Sequence, residues 1–200
     1  MKKTVLIITT FLTIFCASGC GKTLEYKEYF SFYNQFEQGS FVEFMDSNCL
    51  YKLQYRPVEY MALSDLRSKR ELITTENIDS IQNELAGSGY NFCIRIFSKD
   101  DSPILDEADV SYYQNISQLT SDFPLLVYGL TATGDTAYCR FSHFERSYNL
   151  QPFVQILFNL HSDNATEINS VNFTDEIFNQ GSLIEFEINR YIKNLPKLKI

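Results

Sequence analysis

The second half of the chain limits the possible folds most strongly, because after Pro124 it consists of short strand-like segments separated by turns. Residues 125–130 and 136–144 flank a turn at Thr133-Gly134-Asp135, and this arrangement predicts a β-hairpin. Further segments with the apolar or alternating pattern of strands follow at residues 153–160, 167–173 and 183–188. A run of short strands joined by polar turns favours a largely antiparallel sheet.

The first half of the chain mixes helical and strand-like segments. Its best-defined helix carries apolar residues at helical spacing, begins at Thr74 or Thr75 and ends at Gly87. Residues 50–55 and 90–97 have the pattern of strands. The sequence therefore predicts an α+β fold, in which helices pack on one face of a largely antiparallel sheet.

Aromatic residues mark another helix near the N-terminus, at Tyr26, Tyr29, Phe30, Tyr33 and Phe36. Their spacing predicts an amphipathic helix. Two environments fit its aromatic face: the protein core, or the headgroup region of a membrane, where tyrosine is favoured. Residues 106–121 form a less regular helical segment with an acidic start.

The first twenty residues have the pattern of an export signal. Lys2 and Lys3 precede an apolar run of about eleven residues, which is shorter than the roughly twenty that a membrane-spanning helix needs. The next residues, Ala17-Ser18-Gly19-Cys20, resemble the lipobox of bacterial lipoproteins, with Ala17 in place of the usual leucine.

The resemblance implies that residues 1–19 are removed as a lipoprotein signal peptide. Cys20 then receives a diacylglyceryl thioether and usually a fatty amide, and the membrane becomes a partner through this lipid. The alternative is an ordinary signal peptide that leaves Cys20 unmodified. Residues 20–200 are expected to form one globular domain. Because Gly21 to Thr23 reach only about 12 Å, this domain should lie close to the bilayer.

The resemblance also bears on location. A lipid-anchored protein belongs to the cell envelope. Gly21 is not the aspartate that resembles an inner-membrane retention signal. The outer membrane is therefore favoured in a bacterium with two membranes.

The mature chain is expected to be acidic. Removal of Lys2 and Lys3 leaves 15 of the 17 basic residues against 25 acidic ones, so the net charge changes from −8 to −10. The sequence shows no basic cluster, which argues against nucleic acid as a partner and against charge-driven binding to anionic lipid.

The cysteines limit the covalent structure. Besides Cys20, the mature chain contains Cys49, Cys93 and Cys139, which allow at most one internal disulfide. Cys93 and Cys139 lie in apolar strand-like segments, where a free cysteine behaves as a small buried apolar residue. Free, buried thiols are therefore favoured over a disulfide.

The sequence identifies no catalytic residue, metal site or cofactor. It contains two histidines, His143 and His161, and it lacks H-E-x-x-H, G-x-S-x-G, P-loop and C-x-x-C motifs. Cys139 and His143 lie about 13 Å apart on a strand, too far to form a thiol–imidazole pair. The 25 acidic residues could supply a carboxylate pair for glycoside hydrolysis, but the sequence singles none out.

The predicted hairpin offers a candidate partner surface. Strand alternation places Tyr138, Arg140 and Phe144 on one face, with Cys139, Phe141 and His143 on the other. Tyr and Arg are enriched where proteins bind partners. The alternative is that helices cover this face. Seven apolar residues are expected in the core: Phe92, Ile94, Ile96, Leu126, Phe141, Ile156 and Phe158.

These observations favour a lipid-anchored, non-catalytic envelope protein that binds another protein, as an assembly factor or an inhibitor. A lipid-anchored hydrolase or glycan-active enzyme is an alternative, and it would need a deep cleft with convergent titratable groups. A carrier of an apolar ligand is a third possibility, and it would need an internal cavity lined by Phe and Tyr.

Overall fold

The computed structural model describes residues 22–87, 89–100, 102–146, 151–163 and 167–199. Its helices are α1 (Tyr26–Asn34), α2 (Val58–Lys69), α3 (Thr75–Leu85), α4 (Tyr112–Ser117), α5 (Phe123–Leu126) and α6 (Asn189–Lys193). Its strands are β1 (Thr23–Leu24), β2 (Val42–Met45), β3 (Cys49–Arg56), β4 (Tyr90–Ser98), β5 (Val127–Thr131), β6 (Thr136–Glu145), β7 (Phe153–His161), β8 (Ile168–Asp175), β9 (Ser182–Glu187) and β10 (Lys197–Leu198).

Eight of these strands form one sheet that curls into a nearly closed barrel. Their order is β2-β3-β4-β7-β6-β5-β8-β9, and every neighbouring pair is antiparallel. The two edge strands, β2 and β9, approach each other across an open seam. The predicted α+β class with a largely antiparallel sheet is thus confirmed. Strands β1 and β10 form a separate parallel pair that joins the two ends of the described chain.

The barrel encloses the larger of two apolar cores. Five of the predicted core residues are buried in it: Phe92, Ile94, Ile96, Ile156 and Phe158. Rings stack within this core, with Phe92 and Phe158 having their centroids 5.4 Å apart. Two of the predictions were wrong. Leu126 is only partly buried because it lies in α5 rather than in a strand, and Phe141 is exposed.

The helices do not form a single layer, and the prediction that they pack on one face is not confirmed. Ile116, Leu119 and Phe123 of the segment from α4 to α5 pack into the barrel core. Helices α1, α2 and α3 instead form a second core with residues near both ends of the described chain, including Leu24 and Leu195. On the outer side of β3, Gln54 donates to the carbonyl oxygen of Tyr33 at 3.0 Å, which ties α1 to the sheet.

Two helices follow the sequence closely. In α1, Tyr29 and Tyr33 are buried. Of the two predicted environments for its aromatic face, the protein core is therefore the one observed. Helix α3 begins after Thr74, whose hydroxyl accepts a hydrogen bond from the backbone N–H of Asn77. None of the helices in the described ranges is long and apolar enough to cross a membrane.

The predicted helix over residues 106–121 differs from the structure. Helix α4 begins at Tyr112, and a π-helical turn, Gln118–Asp122, connects it to α5. There the N–H of Phe123 donates to the carbonyl of Gln118. Because Pro124 follows and has no N–H to continue the pattern, the chain starts a new turn and the strand begins at Val127.

The cysteines agree with the prediction of free thiols. Cys49 and Cys93 are buried, Cys139 is half-buried, and all three are unbridged. Burial raises the pKa of both Cys49 and Cys93 to about 11. These thiols are therefore poor nucleophiles at neutral pH. Cys20 lies outside the described residues.

Candidate functional site

The outer face of β7, β6, β5, β8 and β9 presents a continuous row of polar and aromatic side chains. Tyr138 is the direct cross-strand partner of both His161 and Tyr128. Tyr128 in turn faces Asn172, which faces Glu185. Directly paired residues point to the same side of a sheet, so these five side chains share the outer face.

A β-bulge in β6 changes which side chains reach this face. Cys139 pairs with Leu160 and Phe141 with Asn159, so Arg140 is an extra residue with no partner of its own. The extra residue shifts the alternation by one position. As a result, Arg140 and Phe141 both point outward although they are consecutive in sequence.

The bulge corrects the predicted partner surface. Tyr138 is 68% exposed and the Arg140 side chain is 60% exposed, so both are accessible. Phe144 is only 9% exposed, because the shifted alternation turns it into the barrel core. Phe141, which the sequence predicts in the core, is 60% exposed and lies on the outer face instead of Phe144. Strict alternation could not show this exchange, since it contains no signal for an extra residue.

We call the surface formed by Tyr138, Arg140, Phe141 and Leu125 the aromatic patch. Leu125 is 85% exposed and belongs to α5, which directly precedes β5 and contacts β6. Arg140 Nη2 lies 3.5 Å from Asp163 Oδ1, and His161 Nε2 lies 3.4 Å from the same oxygen. Because Asp163 is highly exposed, the ion pair between Arg140 and Asp163 is weak and leaves Arg140 free to change partners.

The same outer face ends in an open cleft of about 940 Å³ beside the seam of the barrel. Its floor comes from β8 and β9, and its walls come from the tip of the β5–β6 hairpin, from α6 and from Val42 of β2. We call it the polar cleft. No local sequence pattern predicts this cleft, because its lining comes from β2, from the β5–β6 hairpin and from the segment between β8 and α6.

A second β-bulge shapes the polar cleft. Leu130 pairs with Ser170 and Thr131 with Ile168, so Asn169 is the extra residue in β8. Asn169 and Ser170 both line the cleft although they are consecutive. The amide of Asn189 donates to Asn169 Oδ1 at 2.6 Å and fixes it against α6.

Charged groups of both signs line the polar cleft without pairing. Glu185, Glu187 and Arg190 all line it. None of the three forms an ion pair with any residue that the structure describes. Ser170, only 6% exposed, accepts a hydrogen bond from Asn172 Nδ2 at 3.2 Å. Its own hydroxyl proton has no acceptor within the described ranges.

The most perturbed titratable groups lie elsewhere, in the two cores. Burial is the main cause that raises the pKa of Tyr29, Tyr33 and Tyr51. The hydroxyl of Tyr51 donates to Asp175 Oδ2 at 2.6 Å inside the barrel. All three tyrosines are fully buried. The described residues also contain no cluster of ligands suited to a metal ion.

Comparison with known proteins gives no family for this chain. No protein-family model matches it, and no curated protein is similar to it. A crystal structure of a novel protein of unknown function from Burkholderia pseudomallei K96243 is similar over 86% of this chain and 93% of that chain, at 10% identity and a TM-score of 0.34. A likeness this low carries no argument about fold or function.

Proposed function

We propose that the protein is a lipid-anchored component of the cell envelope that binds another protein through the aromatic patch. The lipid is attached to Cys20, and in a bacterium with two membranes the outer membrane is the favoured location. The bound protein is either assembled or inhibited by this interaction. No catalytic step, cofactor or nucleic acid is part of the proposal.

The observation that carries this proposal is the exposure of the aromatic patch. Tyr138 and Phe141 are each at least 60% exposed on the outer sheet face, beside the charged side chain of Arg140, and Leu125 of α5 is 85% exposed. Contiguous apolar groups are rarely left exposed on a soluble protein unless they bind something. Tyr and Arg in particular often dominate the binding energy of protein interfaces.

The arrangement of the helices adds support. We propose that α1, α2 and α3 form the helical layer on the outer face of the sheet, over β3 and β4. The hydrogen bond from Gln54 to Tyr33 and the stacking of Arg95 on Phe36, 3.7 Å from the ring centroid, support this placement. Such a layer leaves the outer face of β6 uncovered and available to a partner.

The interior of the barrel favours protein binding over transport of an apolar ligand. Phe123 lies 5.4 Å from both Phe158 and Phe173, measured between ring centroids, and Tyr51 and Phe92 are fully buried beside them. These rings occupy the space that a carried ligand would need.

Affinity capture with a tagged full-length chain tests the proposal. The parent protein should retain one envelope protein in stoichiometric amount, whereas a Tyr138→Ala, Phe141→Ala double variant should lose it. Tyr113→Ala is the matched control, because Tyr113 is 82% exposed on α4, outside the patch. Both variants should keep the parent's denaturation midpoint.

Two outcomes would contradict the proposal. If the double variant retains the partner as well as the parent does, the aromatic patch is not the binding surface. If no stoichiometric partner is captured and the purified chain turns over a substrate, the protein is an enzyme instead.

A further inference from the structure

We propose that the polar cleft binds a neutral oligosaccharide. This site is distinct from the aromatic patch and does not depend on the proposed protein partner. Its volume of about 940 Å³ lies within the range usual for ligand sites. The inference rests on the chemistry of the side chains that line the cleft.

The charges in the polar cleft suit a ligand that both donates and accepts hydrogen bonds. A cation would meet the guanidinium group of Arg190, and an anion would meet the carboxylates of Glu185 and Glu187. A neutral ligand that both donates and accepts hydrogen bonds at closely spaced positions can bind all three charged side chains. Vicinal hydroxyl groups of a sugar do so, because each one can donate to a carboxylate while accepting from an N–H group.

The buried Ser170 and two partly buried asparagines extend this pattern to the floor of the cleft. Ser170 is only 6% exposed, and no residue that the structure describes accepts a hydrogen bond from its hydroxyl group. A buried donor left without an acceptor costs free energy unless a ligand or water supplies one. The neighbouring Asn169 and Asn189 share one hydrogen bond, which leaves amide groups that can bind a sugar hydroxyl.

Tyr191 provides a rigid aromatic wall. Its hydroxyl donates to the carbonyl oxygen of Ser40 at 2.5 Å and accepts from the backbone N–H of Tyr55 at 3.1 Å. These two bonds fix the ring, which lines the polar cleft. The C–H face of a pyranose packs well against a fixed aromatic ring, because both surfaces are apolar.

The test is calorimetric titration of the full-length chain with chitotriose, cellotriose and maltotriose, in a detergent without a sugar head group. At least one trisaccharide should bind saturably with one site per chain. Glu187→Ala and Arg190→Ala should each weaken that binding about tenfold, since each removes a charge-assisted hydrogen bond. Glu84→Ala, at an exposed position of α3, is the matched control and should bind like the parent.

The outcomes separate the two sites. Tyr138→Ala should leave saccharide binding unchanged, whether or not the aromatic patch binds a protein. The inference is overturned if none of the three trisaccharides gives a saturable signal. It is equally overturned if one of them binds but Glu187→Ala and Arg190→Ala retain the parent affinity, because the sugar would then lie elsewhere.

Discussion

Replacement of Tyr51 by phenylalanine removes one hydroxyl from the centre of the barrel core. In the parent this hydroxyl donates to Asp175 Oδ2 at 2.6 Å and links β3 to the end of β8, 124 residues away in sequence. The other carboxylate oxygen, Oδ1, accepts from the backbone N–H groups of Ile177 and Phe178 at 3.0 and 2.9 Å. Tyr51 and Asp175 are both fully buried, so water does not readily replace the lost donor.

The expected cost follows from this geometry. A hydrogen bond to a charged group contributes about 1.5–3 kcal/mol, and a buried acceptor left without its donor adds a desolvation penalty. We therefore expect Tyr51→Phe to lower the free energy of unfolding by about 3 kcal/mol. With an m-value of about 2 kcal/mol per molar urea, the denaturation midpoint should fall by about 1.5 M.

Urea denaturation at neutral pH measures this change, with Tyr113→Phe as the matched control at an exposed tyrosine. A double-mutant cycle with Asp175→Asn separates the hydrogen bond from other effects of the substitution. In the Asp175→Asn background, Tyr51→Phe should cost much less. A midpoint for Tyr51→Phe equal to that of the Tyr113→Phe control would refute the reasoning, because the bond would then contribute nothing.

Three further predictions follow from burial and from the N-terminal pattern. Phe158→Ala should cost about 3–5 kcal/mol in urea denaturation, whereas Phe141→Ala, at an exposed phenylalanine, should cost little; equal midpoints would place Phe158 outside the core. Burial raises the pKa of Cys93 from 9.0 to about 11 and raises the pKa of Tyr51, so stability should be complete below pH 9 and fall as pH rises, by about 2 kcal/mol at pH 11 from Cys93 alone. A flat stability profile across this range would contradict that assignment. Cys20→Ser should release the protein from membranes or leave its signal uncleaved, and unchanged fractionation and migration would exclude the lipid anchor.

Local sequence signals were enough to predict most of the strands and the best-defined helix. The strand predicted over residues 90–97 forms most of β4 (Tyr90–Ser98), and Thr74 caps α3 because its hydroxyl satisfies a backbone donor within the same turn. These features depend on residues close together in sequence. The hairpin of β5 and β6 was predicted for the same reason.

The polar cleft could not be predicted in this way. Its lining brings together Val42, the hairpin tip near Gly134, Glu187 of β9 and Arg190 of α6. Their proximity depends on the strand order, in which β8 lies between β5 and β9. No local pattern in the sequence specifies that order, so these residues appeared only as scattered charges and turns.

The two bulges show how the outer surface is built without disturbing the core. When the extra residue Arg140 is not counted, the side chains of β6 alternate regularly between the two faces. Cys139 and Phe144 point inward and Phe141 points outward. Leaving out Asn169 restores regular alternation to β8 in the same way. Each bulge therefore adds one outward side chain, at the aromatic patch in one case and at the polar cleft in the other, and changes no inward position.

This arrangement leads to a prediction about deletion rather than substitution. Deleting Arg140 should close the bulge and leave every core residue of β6 in place, so the chain should still fold, with a denaturation midpoint near the parent's. Deleting Cys139 instead should destabilise strongly, because Arg140 then takes the inward position of Cys139 against the barrel core, where a charged side chain is costly to bury. If the Arg140 deletion unfolds the protein as severely as the Cys139 deletion does, the extra residue is required by the core. If it folds yet loses the captured partner, as we expect, the bulge serves the aromatic patch.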